Sequence, residues 1–169
     1  MGKRSDFARR RSDAYHTFDQ RAVQALKPYL YGIKTFAEPC AGDSDLIKGL
    51  KSIGLRCVLA SDIATGVDAL TISDFNGADA IITNPPWTRV LLHPLILHFQ
   101  KHKPTWLLFD ADWAFNKRSA LYLEHCSHIV AVGRLKWIEG TTQTGKDNVA
   151  WYCFWHKHTA GPRFHGRSI

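Results

Sequence analysis

Nearly continuous apolar runs alternate with amphipathic segments along most of the chain, and this alternation restricts the fold more than any other feature. "LRCVLASD", "ADAIITN" and "TWLLFDADW" are apolar over several consecutive residues, as strands buried on two faces require. Around them lie segments with three- and four-residue apolar spacing: Phe18, Ala22, Val23, Leu26 and Leu30, then Leu46, Ile47, Leu50 and Ile53. The alternation predicts an α/β fold, a parallel sheet covered by helices on both faces.

Element by element, 1–14 reads as a polar, basic segment, 17–30 as a helix started by Thr17 or Asp19, and 34–37 as a strand. A helix closed by Gly54 comes next. After "ADAIITN" a helix covers "VLLHPLILHFQKH", with Pro94 tolerable only within its first turn. "AFNKRSALYLEHC" reads as a helix, and "HIVAVGRLKWI" and "NVAWYCFWHKH" as strands joined by the polar loop "EGTTQTGKD". With no helix between them, these last two are expected to pair as an antiparallel hairpin at one sheet edge. One domain over 15–158 and a basic tail over 159–169 follow, because 169 residues at 45% hydrophobic composition suit a single core.

The net charge of +7 is concentrated at the ends, in Lys3, Arg4, Arg9, Arg10 and Arg11 and in Lys157, Arg163 and Arg167. Such ends suit a polyanion. No apolar run approaches the roughly 20 residues that span a bilayer, so a soluble, cytoplasmic protein without a membrane partner is expected. Cys40, Cys57, Cys126 and Cys153 stand far apart without a C-x-x-C pair, and His156 and His158 offer only two ligands; neither a metal site nor a disulfide framework is expected.

Open sheets of this type bind ligands beyond the carboxyl ends of their strands. There the first strand runs into "AEPCAGDSDL", where Gly42 permits close backbone approach while Glu38, Asp43 and Asp45 repel phosphate and suit a cation. The second strand ends at Asp62, about 20 residues beyond the loop and placed to accept from both hydroxyls of a ribose. Asp68 can accept from an adenine amino group, with the following backbone amide reaching a ring nitrogen. The third strand ends in "NPPW": the Asn84 oxygen and a carbonyl fixed by Pro85 and Pro86 can hold an amine, and Trp87 offers a flat stacking face.

Glu38-Pro39-x-Ala41-Gly42, Asp62, Asp68 and Asn84-Pro85-Pro86-Trp87, in this order, resemble the S-adenosylmethionine-dependent amino-methyltransferases, particularly small phage-like DNA adenine-N6 methyltransferases. The resemblance covers about residues 13–155. It implies a class I, Rossmann-like methyltransferase fold: a seven-stranded, mostly parallel sheet with one antiparallel edge strand and helices on both faces. It implies S-adenosylmethionine as cofactor, touched by Asp13, Tyr15 and Thr17, which match an Asp-x-Tyr-x-Thr-Pro segment with Phe18 in place of the proline. Glu38, Pro39, Cys40 and Gly42 would surround its methionine and sulfonium, Asp62 and Ile63 its ribose, and Asp68 and Ala69 its adenine, with Asn84 adjoining it.

Asn84, Pro85, Pro86 and Trp87 are the implied catalytic residues. DNA is the implied partner, with RNA as the other candidate polymer, bound by a monomer or homodimer. No separate target-recognition domain is present in the sequence, which leaves Arg89, Arg134, Lys136 and Lys146 as candidate nucleic-acid contacts, Arg134 and Lys136 alternating on one strand face. Trp137, Trp151 and Trp155 read as sheet packing. Ser44 departs from the family, which has a second glycine there, and weaker cofactor binding is expected from it. Three readings follow: transfer to adenine in DNA, transfer to RNA adenine or protein glutamine, and an inactive relative that only binds nucleic acid.

Overall fold

The computed structural model describes residues 16–167; Asp13, Tyr15 and the basic residues from Lys3 to Arg11 lie outside the described residues. Along the chain run α1 (Arg21–Leu26), β1 (Thr35–Glu38), α2 (Asp45–Ser52), β2 (Arg56–Ala60), β3 (Ala80–Thr83) and α3 (Arg89–Phe99). β4 (Thr105–Asp110), α4 (Ala120–Leu123), β5 (Cys126–Gly133), β6 (Val149–Phe154) and β7 (Arg163–His165) complete the order, with short 3-10 turns between elements.

All seven strands join one sheet in the order β2-β1-β3-β4-β6-β5-β7. β1 pairs in parallel with β2 and β3, β3 with β4, and β5 with β7, whereas β6 is antiparallel to both β4 and β5. Six strands therefore share one direction and one is reversed.

The apolar runs work because successive side chains point to opposite faces. Phe36, Ile82, Trp106, Leu108, Val130 and Trp151 meet Val23 and Leu26 of α1 and Leu46, Ile47 and Leu50 of α2. Their sequence neighbours Ala37, Ile81, Leu107, Phe109, Ile129 and Tyr152 meet Leu92, Leu95, Ile96 and Phe99 of α3 on the other face. A register slip of one residue would exchange the two sets, so each strand is held in place by both layers. The buried Trp151 indole donates to the Ala22 carbonyl at 2.8 Å, tying β6 to α1.

Several boundaries differ from the sequence reading. α1 starts at Arg21 instead of Thr17, because Thr17 is buried with its hydroxyl on Asn84. Pro94 lies beyond the first turn of α3. The helix survives because Pro94 is exposed and Val90, whose carbonyl loses its donor, is 84% exposed, so water can serve that oxygen. The helix expected over 114–126 shrinks to α4 and a preceding turn, since Asp110 accepts from the Asp112 amide at 2.9 Å and winds the end of β4 into a 3-10 turn, Ala111–Phe115.

β5 stops at Gly133, whose φ of 93° leaves the extended region, so Arg134 and Lys136 sit in a loop and not on a strand face. The reversed strand β6 lies inside the sheet and not at its edge, because it pairs with β4 on one side and β5 on the other; residues 163–165, read as tail, form β7 and take β5 off the edge as well. The turn after β6 is clamped beneath β5: Trp155 N–H donates to the His125 carbonyl at 2.9 Å and Gly161 N–H to Glu124 at 3.2 Å. The chain thus returns on the far side of β5.

β7 docks through rings: His165 lies parallel to His128 with centroids 5.2 Å apart and contacts Tyr29 at 4.6 Å. Burial, then the charges of His165, His158 and Arg163, hold His128 below the ordinary imidazole value; burial and Arg163 do the same to His165. A depressed histidine stabilises the fold above its ordinary value and loses that contribution as pH falls through the folded one. Hydrogen-exchange protection of Phe164 and His165 should therefore drop as pH falls below the ordinary imidazole value of 6.5. Protection that stays constant would show that the two rings do not govern docking.

Candidate active site

β1 and β3 are neighbours, with Ala37 opposite Ile81; Glu38 ends β1, and Asn84 follows Thr83 at the end of β3. Glu38 is completely buried. Its Oε1 accepts from the Thr83 hydroxyl and from the Cys40 amide, the latter at 3.3 Å, while Oε2 is buried without a hydrogen-bond partner among the described residues. Burial raises this carboxyl most; Thr83 and Cys40 pull it down, the Asp62 charge raises it further, and the result is about 8. Glu38 therefore holds a proton at neutral pH, and a cation placed against Oε2 would favour its release. Burial, then the Glu38 charge, push the Cys40 thiol far up, so Cys40 is a packing group and not a nucleophile.

Beyond β1 the glycine loop is tied to β2. Gly42 N–H donates to Asp62 Oδ2 at 2.9 Å, while Asp62 Oδ1 accepts from the Ala64 amide at 2.8 Å and caps the turn Ile63–Thr65. Asp68 caps the turn Ala69–Thr71 in the same way, through the Leu70 amide at 2.9 Å. Both acids hold turns, yet a carboxylate has about four acceptor positions, which leaves room for hydroxyls or an amine. Ile63 stands 68% exposed beside Asp62, whereas Ala69 and Pro39 are buried.

Gly42 has φ of 47°, and a Cβ there would come within 3.0 Å of His16 Nδ1. His16 lies over the loop, accepting at Nδ1 from the Asp43 amide at 3.3 Å and pairing through Nε2 with the Asp43 carboxylate at 3.3 Å. Ser44, where the resembling family has glycine, is in the left-handed region at φ 64° and ψ 19°. A side chain there costs about 1 kcal/mol relative to glycine. Ser44→Gly should therefore raise the melting temperature; an unchanged or lower value would show that the serine is not strained.

Just beyond β3, the Asn84 amide is gripped at both ends. Its Nδ2 donates to Thr17 Oγ1 at 2.9 Å, and its Oδ1 accepts from the Trp87 indole N–H at 2.9 Å. An indole nitrogen only donates, which fixes the oxygen on the Trp87 side. Trp87 is half-buried and meets Trp137 edge to face, with centroids 5.5 Å apart at 83°. Pro85 is buried and Pro86 half-buried, so the turn between Asn84 and Trp87 is held firmly.

Of the sequence-derived residues, hydrogen bonds join Thr17, Asn84 and Trp87 around the turn through Pro85 and Pro86, Cys40 to Glu38, and Gly42 to Asp62; Pro39 follows β1, and Ile63, Asp68 and Ala69 lie in the turns after β2. Arg89 begins α3, and Arg134, Lys136 and Lys146 lie in the loop between β5 and β6. All four are at the end of the sheet where β3 and β5 finish. That loop is moored by Lys136 N–H to Asp19 Oδ2 and by Ala111 N–H to the Asn148 carbonyl, both at 2.9 Å. Among the described residues no group of three or more His, Cys, Asp or Glu side chains could hold a metal.

Sequence reasoning missed Thr83, His16 and Trp137. Thr83 read as a strand residue, although its place beside Asn84 was a usable signal. Trp137 lies four residues beyond β5, packs half-buried against the core layer beneath α1 and α2, and also meets Trp87 edge to face. Trp151 is core, and Trp155 lies beyond β6 with the Lys157 ammonium 5.4 Å from its ring.

This mixed sheet, with its loops gathered at the strand ends, has the class I, Rossmann-like methyltransferase fold. Two of the solved structures that share it illustrate the likeness. One is a protein named as a class I S-adenosylmethionine-dependent methyltransferase from Listeria monocytogenes, with TM-score 0.50 and 9% identity over 86% of this chain and 62% of that one. The other is the methyltransferase subunit of a type I restriction-modification system from Streptococcus thermophilus, with TM-score 0.60 and 10% identity over 90% of this chain and 47% of that one. The chain thus spans about half to three-fifths of these neighbours' length. No protein-family profile and no curated protein sequence matches it.

No helix among the described residues is long and apolar enough to cross a membrane.

Proposed function

We propose that this chain is an S-adenosylmethionine-dependent methyltransferase acting on the exocyclic N6 amine of adenine in DNA. The observation that carries the reading is the Asn84 oxygen, which meets an N–H donor at 2.9 Å where an amine would sit. Glu38 Oε2, buried without a hydrogen-bond partner among the described residues, is an acceptor that a cation would satisfy. Glu38, Asp62 and Asp68 form an acidic set that suits a cationic nucleoside and repels a phosphorylated one. The residues present therefore fit this cofactor, whose sulfonium and ammonium would face Glu38, ribose Asp62 and Ile63, and adenine Asp68 and Ala69.

When bound, S-adenosylmethionine supplies an activated methyl group. The chain's own task is alignment and exclusion of water. Asn84 Oδ1 and the Pro85 carbonyl would accept from the two amine hydrogens, orienting the nitrogen lone pair and stabilising the charge that grows on nitrogen. Trp87 supplies the stacking face, worth about 1 to 3 kcal/mol, against a base extruded from the duplex at a few kcal/mol. Arg89, Arg134, Lys136 and Lys146 lie at the same end of the sheet and would take phosphates, and the net charge of +7 favours a nucleic acid. The restriction-modification neighbour adds support for DNA.

The test is incubation with methyl-labelled cofactor and, separately, duplex DNA, single-stranded DNA, structured RNA and protein. Label in DNA adenine is the expected outcome. Label confined to RNA adenine or protein glutamine would move the reading to those substrates, and absence of cofactor binding in calorimetry would leave a nucleic-acid-binding protein without this enzymatic activity.

A further inference from the structure

Thr17 belongs to a segment whose resemblance to the family points at the cofactor, yet its hydroxyl, 5% exposed as a residue, meets Asn84 Nδ2 at 2.9 Å. The two residues are 67 positions apart, so this contact is set by the fold and not by local geometry. At the other end of the same amide, Trp87 donates to Oδ1 across three residues, and Trp137 packs edge to face against Trp87. A carboxamide can rotate by half a turn and exchange its oxygen for its nitrogen; a donor-only indole at one end and a hydroxyl able to accept at the other favour one orientation.

We propose that Thr17 is a positioning residue for Asn84: it holds the amide with Oδ1 toward Trp87, whose indole N–H keeps the place of the target amine until a base displaces it. This rests on the proposed amine transfer. Exchange of one N–H donor for another leaves the Asn84 oxygen satisfied throughout, whereas a keto group entering the same place would set two acceptors against each other. The donor-only indole sets which end of the amide is the oxygen, and the Thr17 hydroxyl anchors the other end in place. Trp87 then has two positions, one donating to Asn84 and one stacked on the target.

The test follows the indole and carboxamide signals in a proton–nitrogen spectrum of the labelled full chain, with Trp87→Phe identifying the Trp87 signal among those of the six tryptophans. Thr17→Val should shift the Trp87 indole signal, leave cofactor affinity within about twofold, and lower kcat for methyl transfer about three- to tenfold at saturating cofactor, the effect of one lost hydrogen bond. Thr17→Ser should restore signal and rate. An unmoved indole signal in Thr17→Val, or a collapse of cofactor affinity with kcat preserved, would overturn the proposal and return Thr17 to the cofactor. If Thr17→Val fails to fold, Trp87→Phe decides: displacement of the Asn84 carboxamide signals supports the pairing, and unchanged signals contradict it. If no polymer accepts a methyl group, the proposed activity fails, while the indole signal still reports whether Thr17 sets the amide.

Discussion

Asn84→Ala should lower methyl transfer by about 10²- to 10³-fold, the usual loss when a preorganised group facing developing charge is removed. Alanine deletes both ends of the amide, so the Trp87 indole and the Thr17 hydroxyl lose their partner together. Cofactor affinity should change little, because the acidic set around Glu38 and Asp62 is untouched. Initial rates with saturating DNA and cofactor, set beside calorimetric binding, make the comparison. Transfer within a few-fold of the unmodified protein would mean that the amine is held elsewhere.

Glu38→Gln should remove a large pH dependence of stability. A carboxyl raised in the folded protein binds its proton more tightly there than in the unfolded chain. Its contribution to stability is fully present below the unfolded value of 4.5 and is lost as pH rises through about 8. That interval corresponds to on the order of 5 kcal/mol at about 1.4 kcal/mol per unit. The unmodified protein should therefore melt at progressively lower temperature as pH rises across this interval, and Glu38→Gln should not.

The same variant should bind the cofactor roughly 10- to 100-fold more weakly, because a charged acceptor is replaced by a neutral one. Binding to the unmodified protein should release a proton near neutral pH, as the cation drives Glu38 to ionise. Equal pH dependence of melting in the two proteins would place the ionisation elsewhere.

The strand-end chemistry was legible because the third apolar run stops at Asn84-Pro85-Pro86 and the first at Glu38-Pro39, and both breaks are local. Alternation also gave the two-faced sheet, since Phe36 and Ala37, or Ile81 and Ile82, serve opposite layers by parity alone. Strand pairing was less accessible. β7 has three residues and little apolar surface, and its partner β5 lies more than 30 positions earlier, so no local pattern announces it. The same blindness hid the Thr17–Asn84 contact and the Glu38–Thr83 bond, each made across neighbouring elements. Ser44 was legible as a departure from the glycine pattern; its left-handed backbone was not, because the sequence does not print a torsion.

The most direct measurement of the central claim is the identity of the methylated nucleoside. Duplex DNA incubated with the protein and S-adenosylmethionine, digested to nucleosides and separated by chromatography with mass detection, should contain N6-methyladenine, and parallel digests from Asn84→Ala should contain at most about 1% as much. DNA that stays unmethylated while the protein binds the cofactor, or equal yields from the two proteins, would contradict the account.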